Sequence, residues 1–229
     1  MGLTIHHELR LPRDTPPETV EHLVTQLQAA ATRLPFEQVS PVVRTFANGS
    51  TEVDRSQPLG LFFMFLASML LDATDPITGD WDRDALPDGY GFGVMPGEGS
   101  EAATFGVAWL QGRDNEFRLI PNEPPTWLWL SHCKTQYASN LSVDHFVRCH
   151  TSIVALLDEA VRLGFDVRVF DEGEYWETRD VAALAGKVDE MNHLIAGLAG
   201  ALHDKLGDDV GLEAPIFHHP DFERLEMNE

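Results

Sequence analysis

The chain changes its hydrophobic period several times along its length, and these changes limit the folds open to it. Over residues 3–11, Leu3, Ile5, His7, Leu9 and Leu11 fall on one side and Thr4, His6, Glu8 and Arg10 on the other. A period of two is that of a half-buried strand. Val20, Leu23, Val24, Leu27, Ala30, Ala31 and Leu34 then recur at three- and four-residue steps, the stripe of an amphipathic helix. Asp14 and Thr15 offer N-caps, Pro16 and Pro17 suit the first helical positions, and Pro35 and Pro41 stop the pattern. Residues 104–111 (TFGVAWLQ) and 126–137 (TWLWLSHCKTQY) return to strand-like patterning, with tryptophans and leucines on opposite faces of the second. Ser142, with Asp144 in its first turn, opens a helix that Gly164 ends. Residues 166–170 (DVRVF) read as a short strand, and Thr178 as the cap of a long last helix. That helix has Val181, Leu184, Val188, Met191, Ile195, Leu198 and Leu202 as its expected core positions.

Strands gather in the middle of this order and helices sit at the start and end. The expected fold class is therefore α+β: a single domain with a mainly antiparallel or mixed central sheet and about three substantial helices packed on it. The strand at 166–170 follows a helix, so a parallel pairing there would make the sheet mixed. The domain is expected to span 1–206. Residues 207–229 form a C-terminal tail that Ile216, Phe217, Phe222 and Leu225 would dock on the body. Residues 72–100, rich in glycine and aspartate, read as a long ordered loop.

Composition excludes several function classes. Apolar residues make up 43% of the 229, enough for a sizeable core. Lys and Arg number 16 against 37 Asp and Glu, a net charge of −21. A surface this negative repels phosphate backbones and anionic lipid, so neither nucleic acid nor membrane is an expected partner. The longest uncharged run, residues 57–71 (QPLGLFFMFLASMLL), is shorter than the ~20 residues a membrane-spanning helix needs and suits a buried strand or core helix. Two cysteines and no leader-like segment point to a cytoplasmic protein with free thiols.

Three blocks carry polar chemistry. In residues 131–139 (SHCKTQYAS), Lys134 adjoins Cys133, and a neighbouring ammonium favours the thiolate. On the following helix, His150 falls near the middle of an apolar face, where an imidazole must find a partner, with Cys149 and His145 on its flank. In residues 171–176 (DEGEYW), carboxylates follow a strand end and could orient His150 or take an amine. A catalytic reading makes Cys133 the nucleophile, His150 its base and Asp171 or Glu172 the orienting group. Glu101, Lys134, Gln136, Tyr137, Glu172 and Tyr175 would line the same pocket as ligand-binding residues. The bland alternatives are a strand end reaching the surface, a satisfied core histidine and an acidic turn.

A zinc set of Cys133, Cys149, His150 and His132 lacks the usual ligand spacing, so no metal and no cofactor is expected. Gly97, Gly99 and Ala102 match a dinucleotide pattern but lie between Pro96 and a strand, which predicts a hairpin loop. Asp80, Asp82 and Asp84 match the start of a calcium loop, but Ala85 and Gly91 stand where glycine and glutamate are needed.

The start MGLTIHHEL, the segment GEGSEAATFG, the block CKTQYAS, the pair Cys149-His150 and the run DEGEYW together resemble an uncharacterised bacterial protein family. The resemblance implies membership of a bacterial group and brings no activity, fold or cofactor with it. With no catalytic signature, the expected function is a binding module for a small molecule or a protein partner. A thiol-dependent hydrolase or transferase using Cys133 and His150 is one alternative. An acidic immunity- or inhibitor-type protein for a basic partner is the other.

Overall fold

A computed structural model describes residues 3–46, 51–52, 58–60, 62–63, 87–111, 123–206 and 215–227. In chain order the elements are β1 (Thr4–Leu11), α1 (Pro17–Ala31), β2 (Gln38–Val39), β3 (Val43–Thr45), β4 (Thr51–Glu52), β5 (Gly89–Met95), β6 (Ala103–Leu110) and β7 (Thr126–Lys134). A 3-10 turn (Gln136–Asn140) follows, then α2 (Val143–Leu163), β8 (Asp166–Asp171), the single turn α3 (Tyr175–Thr178) and α4 (Val181–Leu206). A second 3-10 turn (Pro215–His218) and α5 (Phe222–Met227) complete it. The fold is α+β and single-domain in character. The sheet order is β4-β3-β5-β6-β7-β1-β8, with β2 also paired to β5, and every pairing is antiparallel.

The parallel option for the strand after α2 does not occur. β8 pairs β1 antiparallel, with Asp171 opposite Ile5 and Val169 opposite His7. The crossover through α2 still joins two strands of the same direction, β7 and β8, as a helical crossover requires. β1 is inserted between them and runs against both.

Local signals explain most element ends. The Ser142 hydroxyl accepts from the His145 N–H at 3.1 Å and caps α2, and Gly164 closes that helix at a φ of 95°. Neither Asp14 nor Thr15 caps α1, whose N-cap is Pro16 with no side-chain bond. Thr178 ends α3, and Asp180 takes over the capping of α4 by accepting from the Ala182 and Ala183 N–H groups at 2.9 and 3.0 Å.

Part of the expected loop at 72–100 is a strand. β5 (GYGFGVM) is buried along nearly its whole length. Glycine supplies alternate positions because neighbouring groups occupy the space of its missing side chains. A Cβ at Gly91 would lie 1.8 Å from the Phe63 ring, and one at Gly93 would lie 2.7 Å from the Leu59 backbone. Phe63 in turn stacks on Trp129 at 4.3 Å. The connection from Pro96 to Ala102 is the hairpin loop between β5 and β6. Asp80, Asp82 and Asp84, and most of residues 57–71, lie outside the described residues.

The core sits between the sheet and two helices. α1 buries Val20, Val24, Leu27, Ala30 and Ala31 over β5 and β6. Beside it, α2 buries Ile153, Leu156, Leu157 and Ala160 toward β1 and β8. In α4 the buried stripe is Leu184, Val188, Asn192, Ala196 and Ala199, while Val181 and Leu198 are 46% and 50% exposed. The first half of that helix packs on Leu3 and Phe146, the second on Ile216 and Leu225, and these partners set the stripe. A strict alternation of three and four residues drifts ~20° per heptad on a straight helix and misses it. Among the described residues, no helix is long and apolar enough to cross a membrane.

Candidate functional site

The structure draws Thr135, His150 and Asp171 together at the sheet end where β7 and β8 finish. Imidazole Nε2 lies 3.0 and 3.2 Å from the two Asp171 carboxylate oxygens, and Nδ1 lies 2.8 Å from the Thr135 hydroxyl. Asp171 also accepts the backbone N–H groups of Gly173 and Trp176 at 2.8 and 2.9 Å. Burial alone would raise its pKa; the bonds from His150, Trp176 and Gly173 outweigh that and hold the carboxyl below its ordinary value. An ionised Asp171 puts the imidazole proton on Nε2, and Nδ1 then accepts from Thr135.

The order hydroxyl–imidazole–carboxylate is that of a hydrolase triad, but its three side chains are enclosed. Thr135 and His150 are fully buried and Asp171 is nearly so. The gap that a side chain at Gly173 would fill is taken by the His150 ring and Leu184, at 3.0 and 2.7 Å from an ideal Cβ. The cluster fastens α2 to the exits of β7 and β8.

Cys133 lies on the same side of the sheet. Ile5 has Cys133 opposite it on β7 and Asp171 opposite it on β8, so the two are two strand spacings, or about 10 Å, apart. The thiol is fully buried and donates to the Glu101 carbonyl oxygen at 3.2 Å. Burial, with smaller effects from Glu101 and Cys149, pushes its pKa up, opposite to the lowering expected beside Lys134. The Lys134 ammonium instead sits 4.5 Å over the Tyr137 ring and donates to its hydroxyl at 3.3 Å.

The expected ligand-binding residues also make contacts within the fold. The Glu172 carboxylate accepts from the Thr4 N–H at 2.9 Å, and that of Glu101 accepts from the Lys134 N–H at 3.2 Å. Gln136 is buried and donates to Asn192 at 3.2 Å; Asn192 donates to Ser139 at 2.9 Å. Tyr175 presents its ring at a steep angle to His150, centroids 6.5 Å apart. Strand alternation puts His132 on the face opposite Cys133. Among the described residues, no group of three or more His, Cys, Asp or Glu side chains is placed to hold a metal ion.

The opposite sheet end, where β1 finishes and β7 begins, has a different character. A cleft of about 440 Å³ opens there, walled by Arg13, Thr15, Pro17, Arg44, Thr45, Phe46, Asp88, Tyr90, Trp109 and Trp127. The sequence places its parts on β3, β5, β6 and β7 and on the turn before α1. The Trp127 indole donates to the Thr15 carbonyl at 3.1 Å, and Trp109 meets Trp127 edge to face at 5.2 Å. Trp127 and Tyr90 are buried; Trp109 is half-buried and offers its ring to the cleft. Burial raises the Tyr90 phenol, outweighing Arg44 beside it, and keeps it a neutral donor. The Arg44 guanidinium lies 4.7 Å from the Phe46 centroid and 5.4 Å from that of Tyr90, with Glu21 at 3.8 Å. Its Nε is buried without a partner among the described residues. Arg13 is exposed and, among the described residues, has neither an ion-pair nor a hydrogen-bond partner.

A second depression of about 510 Å³ runs over the outer face of β7, β1 and β8. Its charged side chains already pair: Glu8 with Arg10 and, at 3.8 Å, with Arg168. From sequence, none of the cleft residues stands out as a binding residue; Thr15 and Pro17 read only as helix-start positions. The available signal was an arginine four positions before a proline-opened helix; what joins it to Trp109 and Trp127 is tertiary.

Compared with protein-family models, curated proteins and solved structures, the chain matches none.

Proposed function

We propose that the protein is a non-covalent binding module for a small molecule, and that its ligand occupies the cleft between Arg13, Arg44, Tyr90 and Trp109. The observation that carries this reading is the pairing, on one concave surface, of a guanidinium that has no partner among the described residues with a half-open indole. Small-molecule sites are mostly apolar concavities of roughly 300–1,000 Å³ with a few convergent polar groups, and this cleft has that size and make-up. The Thr135–His150–Asp171 cluster serves the module as scaffold. Its polar groups are spent on one another, and Cys133 is a neutral, enclosed thiol.

The test is a titration of the folded protein with anilinonaphthalene sulfonate and a set of small planar acids and alcohols, read at the indole N–H resonances of its five tryptophans. Shifts at Trp109 and Trp127, with Trp129 unmoved, are the expected result. A set of probes that leaves Trp109 and Trp127 unmoved removes the reading.

A further inference from the structure

We infer that the cleft selects a planar aromatic monoanion, stacking its ring on Trp109 and seating its single acid group on Arg13. The inference rests on the binding-module reading and adds the ligand's chemistry. The two guanidinium groups of the cleft are not equivalent. Arg44 is engaged by Glu21, Phe46 and Tyr90. Arg13 is free among the described residues, and an arginine fork suits a carboxylate. Pro17, at the first turn of α1, also lines the cleft and adds apolar surface beside Arg13.

The apolar half of the ligand follows from the rings. Trp127 and Tyr90 form a buried backing, and Trp109, set edge-on to Trp127, leaves ring surface open. A flat ring system covers that surface better than an aliphatic chain.

The charge is limited to one. The whole chain carries −21, so a second negative charge on the ligand meets repulsion, and the Arg44 guanidinium that could offset it already faces Glu21. A carboxylate or a sulfonate meets these demands; a phosphate monoester, with a charge near −2 at neutral pH, does not.

The experiment is calorimetric titration of the full chain with four probes: naphthoate, its neutral counterpart naphthol, acetate, and naphthyl phosphate. Naphthoate is expected to bind about tenfold or more tightly than each of the other three. Arg13→Gln is expected to abolish the preference for naphthoate over naphthol, and Arg13→Lys to restore part of it. Arg13 is exposed, so neither variant threatens the fold. Equal binding of naphthoate and naphthol, or a preference that survives Arg13→Gln, overturns the inference while the cleft remains a binding site. Naphthyl phosphate binding as tightly as naphthoate overturns the single-charge claim, and acetate doing so overturns the ring. Failure of all four probes to bind overturns both this inference and the binding reading beneath it.

Discussion

At the sheet end where β7 and β8 finish, His150 bonds through both ring nitrogens, and Asp171 accepts from three separate groups. At the other end, Arg13 stands exposed and Arg44 keeps a buried Nε without a partner among the described residues. Both ends are rich in the side chains that usually mark function. A histidine beside a carboxylate and a hydroxyl attracts a catalytic reading; here the three side chains are buried and bonded to one another. Residues whose hydrogen-bonding capacity is used up hold a fold together. Residues with spare capacity beside an accessible ring can hold something else.

Substitutions that break the fastened end are expected to cost the most. His150→Leu leaves the ionised Asp171 carboxylate buried without its imidazole donor and is expected to lower unfolding free energy by ~3 kcal/mol in urea titration, more than for a neutral acceptor. A loss below ~1 kcal/mol would mean that the pair contributes little to holding α2.

Acid comes next, through His7. Its ring is buried, stacks on Phe105 at 4.7 Å and bonds to the Thr104 carbonyl at 3.1 Å. Burial lowers its pKa from 6.5 to about 4. Between those values the unfolded chain binds the proton and the folded chain does not. Stability is therefore full above the unfolded value and falls as pH drops toward 4, by up to ~3 kcal/mol. His7→Leu is expected to lose most of this slope, with His6 and His219, also held below 6.5 by burial, supplying what remains. A wild-type profile with no slope there contradicts the assignment. Asp171, whose carboxyl is held low, adds its loss only at more acidic pH.

Thr135→Val keeps the shape but leaves His150 Nδ1 unpaired, and is expected to cost ~1–2 kcal/mol by thermal or urea melting. At the open end, Arg13→Gln is expected to change stability by no more than ~0.5 kcal/mol, since no described residue pairs with it. A loss there as large as that of Thr135→Val would show both ends to be structural.

Features fixed by local chemistry were legible in the sequence. The alternation of Ile5 with Leu9 and the caps at Ser142 and Gly164 depend on neighbours a few residues away. β5 was not legible, because glycines at 89, 91 and 93 erase half of the alternating signal and their reason for being there, Phe63 and Leu59, comes from another segment. The stripe of α4 was misread at Val181 and Leu198 because partners on two separate elements decide which side is buried. His150 and Asp171 could be suspected of meeting, since one lies on an apolar helix face and the other at the next strand's end. That the pair would be sealed by Leu184 and Gly173 could not be read, because burial is a property of the assembled fold. The cleft draws on residues between 13 and 127 and has no local signature.

Hydrogen exchange of the whole chain with and without saturating naphthoate tests the contrast between the ends most directly. Added protection should appear at residues 13–18, 43–46, 88–90 and around Trp109, with exchange at 131–139, 149–151 and 171–176 unchanged. Protection concentrated around His150 and Asp171 instead would mean that the sealed cluster opens to ligand, and the division between scaffold and site drawn from this structure would be false.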